Sequence, residues 1–148
     1  MAFPMVSLGK VFSTLHWQTR IFVEKRLADT GLTWGEFHIL MSLYREHKIT
    51  QTELTHTLHI TKATTSKMLT KLEQEGYVIR KRLLRDRRTF SIQPTQKALI
   101  LQQHLFNISR QWSDALLTSL SSDEQTFIIL ALTKLANRAI QANAIEIS

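Results

Sequence analysis

The sequence contains no cysteine. This absence excludes structural disulfides, thiolate metal sites and redox sensing through a thiol. Long apolar runs are also missing, because the uninterrupted stretch from Phe127 to Leu132 is far too short to span a bilayer. The N-terminus lacks the charged and then apolar layout of a signal peptide. We therefore predict a cytoplasmic protein with no membrane partner.

Catalytic patterns are equally scarce. Ser7 and Lys10 form a serine-x-x-lysine sequence, but this pattern specifies only two positions and its companion motifs are missing. The chain has no phosphate-binding glycine loop and no nucleophile elbow. The sequence therefore predicts neither an enzyme nor a cofactor.

Positive charge, by contrast, is abundant and concentrated. Lysine and arginine total 19 against 12 acidic residues, for a formal net charge of +7, the sign that suits a polyanionic partner. Between residues 60 and 90 the cations are Lys62, Lys67, Lys71, Arg80, Lys81, Arg82, Arg85, Arg87 and Arg88. Only Glu73, Glu75 and Asp86 oppose them there. A basic surface that served solubility alone would not cluster in this way.

The segment from Thr50 to Thr95 has the pattern of a winged helix-turn-helix, a DNA-binding unit. Thr50 opens one helix with a capping box, and Thr61 caps a second helix that Gly76 ends. Two short strands around an arginine-rich loop follow, at Tyr77–Ile79 and Phe90–Ile92.

The second helix of this unit is the predicted recognition helix. Apolar or small side chains recur at helical spacing and are expected to face inward, at Thr65, Met68, Leu69 and Leu72. The opposite face is then free to enter the major groove, where Lys62 and Lys67 either read guanine edges or contact phosphates. Together with the loop, the predicted DNA-binding residues are Thr61, Lys62, Ala63, Thr64, Ser66, Lys67, Thr70, Lys71, Arg85, Asp86, Arg87 and Arg88.

Long amphipathic helices are predicted on both sides of this unit, at about residues 5–29, 33–46, 95–120 and 122–143. The terminal helices hold more apolar surface than a compact monomer needs, which favours a homodimer over plain core packing. We assign residues 1–30 and 95–148 to a helical dimerisation region and residues 31–94 to the DNA-binding region. A two-fold dimer would place its recognition helices roughly 34 Å apart and so read a palindromic operator.

Three motifs resemble those of the multiple antibiotic resistance regulator (MarR) family of winged-helix transcription factors. They are Leu72-Glu73-Gln74-Glu75-Gly76 at a helix end, Asp86-Arg87-Arg88 in the wing and Pro94-Thr95 before the fifth helix. Pro94 and Ala98 stand where the family has leucine and glycine. The resemblance covers nearly the whole chain and implies a mainly α winged helix-turn-helix fold. That fold has about six helices, a small β-hairpin wing and long N- and C-terminal dimerisation helices.

The same resemblance assigns roles within the wing. Asp86 is expected to orient an arginine, and Arg88 to enter the minor groove, with Arg87 as a second candidate. A guanidinium group suits a narrow and negative minor groove, and a neighbouring carboxylate can hold it in position.

In this family, the first, second and fifth helices wall a cavity between the DNA-binding and dimerisation lobes. Residues predicted to line it and to bind a small aromatic or amphipathic effector are His16, Trp17, Trp34, Phe37, His38 and Trp112. Core packing explains these aromatic side chains equally well. We predict no metal, although a zinc site built from His16, His38 and His104 is an alternative because some members of the family sense zinc.

The sequence as a whole predicts a sequence-specific, double-stranded DNA-binding regulator, in the form of a ligand-responsive homodimeric repressor. Two alternatives are a zinc-responsive regulator of the same fold and a winged-helix protein-interaction module. In the second alternative the basic face meets an acidic protein.

Overall fold

Helices make up most of residues 7–145, the part of the chain that the computed structural model describes. The elements in order are α1 (Leu8–Leu27), a 3-10 turn (Ala28–Thr30), α2 (Trp34–Glu46), β1 (Ile49–Thr50), α3 (Gln51–Leu58), α4 (Lys62–Gln74), β2 (Val78–Arg82), β3 (Phe90–Pro94), α5 (Gln96–Leu117) and α6 (Ser122–Ile145). This order confirms the predicted mainly α winged helix-turn-helix fold. Residues 5 and 6, the start of the predicted first helix, lie outside the described residues.

Capping side chains define where α2, α3 and α4 begin. Thr33 Oγ1 accepts a hydrogen bond from the Glu36 amide (3.3 Å), and the Glu36 carboxylate accepts one from the Thr33 amide (2.9 Å). Thr50 and Glu53 repeat this reciprocal arrangement at 3.1 and 2.8 Å. Thr61 caps α4 through its side chain. Each cap satisfies backbone N–H groups that the first helical turn leaves unpaired, so these local signals determine the three starts.

The turn between α3 and α4 depends on His59. Its backbone is left-handed, with φ at 52°, which ends α3 and redirects the chain into α4. Histidine is among the residues that reach this conformation more readily than most non-glycine residues. Gly76 provides the corresponding left-handed turn (φ 79°) after α4.

The wing is part of a three-stranded antiparallel sheet rather than a hairpin alone. Its strand order is β1-β3-β2, so β3 is central. Ser91 on β3 lies opposite Thr50 on β1 and opposite Lys81 on β2. The two-residue strand β1 covers the edge of the hairpin and joins the wing to the segment before α3.

The hydrophobic core is formed by the inward faces of α2, α3, α4 and the sheet, together with parts of α1 and α5. Its fully buried members include Leu40, Leu54, Leu69, Ile92 and Leu105. The departures at Pro94 and Ala98 leave the start of α5 intact, because the helix begins at Gln96 and Ala98 is buried.

The chain divides into two compact units, Met1–Trp112 and Ser113–Ser148. The first contains the core, the sheet and the helix-turn-helix. The second contains the end of α5 and all of α6. A reciprocal cap also precedes α6: Ser121 Oγ accepts from the Glu124 amide, and the Glu124 carboxylate accepts from the Ser121 amide.

Candidate nucleic-acid interface

The recognition helix α4 is oriented as its periodicity predicts. Thr65, Leu69 and Leu72 are fully buried and Met68 is partly buried. On the opposite side Lys62, Ala63, Thr64 and Lys67 are exposed, while Ser66 and Thr70 are half-buried. The leading half of α4 therefore presents small, polar and cationic side chains to solvent, the combination that fits a DNA groove.

Threonine hydroxyls hold the first turn of α4 against α3. Thr65 Oγ1 donates to the Thr61 carbonyl (3.0 Å) and lies 2.9 Å from the Thr55 hydroxyl on α3. Thr61 and Thr64 share a further hydroxyl contact of 2.9 Å. This network fixes the angle between the two helices, so Lys62 and Ser66 project from a rigid turn.

Lys71, which the sequence places among the DNA contacts, is engaged elsewhere. Its Nζ lies 3.0 and 3.1 Å from the two oxygens of Glu36, whose carboxylate is almost completely buried at the start of α2. The hydrogen bond to Glu36 raises the pKa of Lys71 above its usual value. Lys71 therefore joins α4 to α2, while its contact with DNA stays a prediction.

An ion pair that sequence reasoning did not identify joins α4 to the wing. Arg80 on β2 donates to the Glu73 carboxylate through Nε (2.9 Å) and Nη2 (2.7 Å). Nη2 also donates to the Thr70 hydroxyl at 3.3 Å. The only indication of this pair in the sequence is that Glu73 and Arg80 are seven residues apart, on either side of the Gly76 turn. Thr70 is therefore partly occupied by a structural contact and less available to a base.

Within the wing, Asp86 orients Arg88 through its backbone. Asp86 Oδ1 accepts from the Arg88 amide (2.9 Å), and Oδ2 accepts from the Thr89 hydroxyl (2.7 Å). The Thr89 hydroxyl, and then the Arg88 amide, lower the pKa of Asp86 below its ordinary value. The carboxylate thus shapes the turn rather than holding a guanidinium. Arg85, Arg87 and Arg88 are exposed, and in the described part of the chain none of them forms an ion pair.

A cleft of about 520 Å³ connects the recognition helix with the wing; we call it the front cleft. Its lining residues are Gln51, Thr52, Thr55, His56, Lys62, Ser66, Arg80, Arg88, Thr89 and Phe90. The set includes three cations and several hydrogen-bond donors but no carboxylate. Such a surface suits phosphate oxygens. No local pattern indicates the contributions of α3 and β3, because only the fold brings them beside Lys62 and Arg88.

A second cavity, of about 300 Å³, lies beside α2; we call it the α2 cavity. It is lined by Trp34, Gly35, His38, Thr57, Leu58, Ile60 and Met68. The rings of Trp34 and His38 are 4.3 Å apart, and His16 meets the edge of Trp34 at 6.1 Å. Burial, then Arg45 and then His16 lower the pKa of His38 below 6.5. An uncharged imidazole is therefore favoured beside this cavity at neutral pH.

Gly35 allows α2 and α4 to approach closely at this cavity. A Cβ atom on Gly35 would collide with the Met68 sulfur. A methionine side chain can move to relieve such a contact, but the cavity would then change shape. Met68 lies on the inward face of the recognition helix, so the α2 cavity is in direct contact with α4.

The remaining predicted effector residues do not all meet at this cavity. Trp17 is exposed and contacts His16 (5.6 Å), whereas Phe37 belongs to the core. Trp112 lies in a different group: its Nε1 donates to Thr19 Oγ1 (2.9 Å) and its ring is 4.7 Å from that of Phe22. Thr57, Leu58, Ile60 and Met68 line the cavity instead, and of these four only Met68 had been assigned a position from the sequence, on the inward face of α4.

Across residues 7–145, no three His, Asp or Glu side chains are grouped so that they could hold a metal ion. The geometry therefore offers no support for a zinc site at His16, His38 and His104. Within the same residues, no helix combines the length and the apolar character needed to cross a membrane.

Known proteins with similar sequences and structures are transcription regulators of one family. The MarR family model matches residues 32–90. The HTH-type transcriptional repressor YetL of Bacillus subtilis is 31% identical over 123 residues, covering 78% of this chain and 71% of YetL. A MarR transcriptional regulator from Methanosarcina mazei has a similar structure, with a TM-score of 0.86 and 32% identity, covering 91% of this chain and 97% of that one.

A further solved structure contains DNA. It is a cysteine-to-serine mutant of MarR from Escherichia coli in complex with operator DNA. The two chains share 20% identity with a TM-score of 0.79, over 88% of this chain and 94% of that one. At this identity the likeness shows a shared fold.

Proposed function

The chain belongs to the MarR family of winged helix-turn-helix transcription regulators. From that premise we propose that it is a homodimeric repressor and that a small effector causes it to release its operator DNA. Its general class follows from the family: it is a DNA-binding transcription regulator and not an enzyme. The description of YetL as a repressor favours repression over activation. The operator would be palindromic and the protein cytoplasmic.

The front cleft is the observation that carries the proposed mode of DNA binding. Its lining residues include Lys62 and Arg88, which are free of ion pairs within residues 7–145, and Arg80, which pairs with Glu73; none of them is a carboxylate, so a phosphate backbone passing along the cleft meets cations and neutral donors. In that arrangement Lys62, Ser66 and Lys67 face the base edges of the major groove. Arg88 reaches the minor groove, while Arg85 and Arg87 contact flanking phosphates. The wing shape that Asp86 maintains keeps Arg88 in place.

Exposed apolar side chains support the homodimer. From Ser122 to Ala144, no side chain of α6 is buried within the chain. Phe127 is 73% exposed and Leu130 59%. In α1, Leu8, Val11, Phe12 and Leu15 are exposed as well. Apolar surface of this extent is typical of an interaction site, and a second copy of the same chain is the proposed partner.

The α2 cavity is the proposed effector site. Trp34, Leu58, Ile60 and Met68 provide apolar walls, and His38 and Thr57 provide polar atoms, which suits a small aromatic or amphipathic molecule. A ligand that contacts Met68 acts on α4 directly. If the ligand binds more tightly to a position of α4 that cannot fit the DNA groove, it lowers operator affinity. The size of the effect is the difference in the ligand's binding free energy between the two positions of α4.

The test is a titration of a labelled duplex from the upstream region of the gene, with a shuffled duplex as control, at two salt concentrations. We expect specific binding to exceed non-specific binding by roughly a thousandfold or more. Arg88→Ala should weaken operator binding by about tenfold or more, because a minor-groove guanidinium is removed. Arg110→Ala is the matched control: it is exposed on α5 and changes the formal charge equally, from +7 to +6.

Unchanged affinity in Arg88→Ala would refute the role given to the wing. Equal binding of the operator and shuffled duplexes at every salt concentration would refute sequence-specific recognition. That second result would favour the protein-interaction module, because only non-specific electrostatic attraction to DNA would remain.

A further inference from the structure

A second basic cleft, of about 300 Å³, lies on the sheet away from the front cleft; we call it the rear cleft. It is lined by Lys48, Lys81, Arg82, Leu83, Leu84, Arg85, Ser91 and Gln93. None of these residues except Arg85 entered the predicted DNA interface. We propose that the rear cleft is a phosphate-binding site.

Strand register places the rear cleft on the outer face of the sheet. Ser91 lies opposite Lys81, and Gln93 follows two residues later on β3, so all three share one face. The alternate residues Arg80 and Ile92 share the other face, where Arg80 pairs with Glu73 of α4. The rear cleft thus opens away from the recognition helix.

The cations of the rear cleft pair with no carboxylate among the residues that the structure describes. Lys48, Lys81 and Arg85 are exposed, and none forms an ion pair within residues 7–145. No carboxylate is among the lining residues. Four cations, including Arg82, therefore surround one small depression and raise the local concentration of anions.

Ser91 supplies an independent observation. Its side chain is 2% exposed, and its hydroxyl is the one buried side-chain polar atom in the described residues that has no hydrogen-bond partner. Buried hydroxyls are almost always paired in proteins. A phosphate oxygen in the cleft would accept the proton of Ser91 Oγ, and the Gln93 amide offers further donors. This set of point charges and neutral donors fits a tetrahedral oxyanion with several acceptors.

The phosphate has two conceivable sources. One is the backbone of DNA that flanks the operator, a source that rests on the proposed function. The other is a free phosphorylated small molecule. The site chemistry is the same for both, so the experiment has one arm for each.

The first arm titrates the full-length protein with inorganic phosphate and pyrophosphate at constant ionic strength, following backbone amide signals by NMR. We expect saturable shifts at Lys81, Ser91 and Gln93. In Lys48→Gln/Lys81→Gln the dissociation constant should rise at least about tenfold, as expected when two charged partners are removed. The control Lys25→Gln/Arg110→Gln removes two exposed charges elsewhere and should behave like the wild type.

The second arm measures affinity for a minimal operator duplex and for one extended by about one DNA turn on each side. If flanking DNA supplies the phosphate, extension strengthens binding by the wild type and the control but not by the cleft variant. The slope of log affinity against log salt should then become shallower by roughly 0.9 for each phosphate that the variant no longer neutralises. An equal gain in all three proteins, with the NMR shifts present, assigns the site to a free phosphorylated molecule.

Linear, non-saturating shifts that are equal in all three proteins, together with equal gains on duplex extension, would overturn the proposal. The first arm does not depend on operator binding. A failure of the proposed function would therefore leave the phosphate test of the rear cleft intact.

Discussion

Exchanging Lys71 for methionine tests whether this lysine holds α4 to α2 or contacts DNA. Its natural control is Lys67→Met, one helical turn away on the exposed side of the same helix. The two variants remove the same charge and keep a similar side-chain length. We expect Lys71→Met to lower the free energy of unfolding and Lys67→Met to lower operator affinity.

The expected size of the stability change follows from the surroundings of Glu36. Its side chain is 3% exposed and would be deprived of two charge-assisted interactions, at 3.0 and 3.1 Å. Removing one partner of a fully buried ion pair costs about 3–5 kcal/mol. The Lys71 side chain is 41% exposed, so water can replace part of the interaction. Since the Thr33 amide also remains bound to Glu36, we expect about 1.5–3 kcal/mol for Lys71→Met.

Urea unfolding at pH 7 measures this difference. The pKa of Lys71 is raised in the folded state, so its contribution is complete below the usual lysine pKa and is lost only as pH rises above it. Neutral pH is therefore the right condition. Lys67→Met should stay within about 0.5 kcal/mol of the wild type, as is usual for an exposed substitution.

Operator titration of the same two proteins completes the test. Lys67→Met should bind the operator several-fold more weakly and with a smaller salt dependence. Lys71→Met should bind with nearly wild-type affinity under conditions where it is fully folded. Unchanged stability of Lys71→Met combined with weakened DNA binding would refute the structural role and restore the DNA contact that the sequence predicted.

Three further predictions concern single side chains that are buried or half-buried. The pKa of His38 is lowered in the fold, so the unfolded chain binds a proton first as pH falls below 6.5. Stability should then decrease from pH 7.5 to 5.5 in urea unfolding, and His38→Gln should reduce that slope. Tyr44→Phe should cost about 1 kcal/mol, because the Tyr44 hydroxyl donates to the Ala98 carbonyl at 2.6 Å; an unchanged unfolding midpoint would contradict this. Ser91→Ala should raise stability in phosphate-free buffer by up to about 1 kcal/mol, since it removes a buried unpaired hydroxyl, and a decrease in stability would show that this hydroxyl has a partner.

Local signals explain the parts of the fold and interface that the sequence predicted well. The capping residues Thr33, Thr50 and Thr61 act on backbone groups within three residues. The inward face of α4 follows from apolar spacing within that helix. Motifs of this range, with the concentrated positive charge, were sufficient to predict a winged helix-turn-helix. Hydrogen bonds over three residues and periodic burial need no knowledge of distant segments.

Contacts between separate elements are the part of the structure that the sequence did not indicate. The sequence indicates only that Lys71 is a cation on the recognition helix. In the fold, α2 places the buried carboxylate of Glu36, 35 residues earlier in the chain, beside it. Trp112 was predicted to line the cavity beside Trp34 and His38, yet its ring packs against Phe22 on α1. No local pattern encodes which faces of two helices will meet.

The sequence by itself therefore determined the family, the order of elements and the location of the positive charge. Only the tertiary structure decided how that charge is used. Lys71 and Arg80 are paired with carboxylates, while Lys62 and Arg88 line the front cleft and Lys48 and Lys81 the rear cleft. The physical reason is that the residue type alone gives a side chain its charge, whereas packing between distant segments decides which groups lie close enough to interact with that charge.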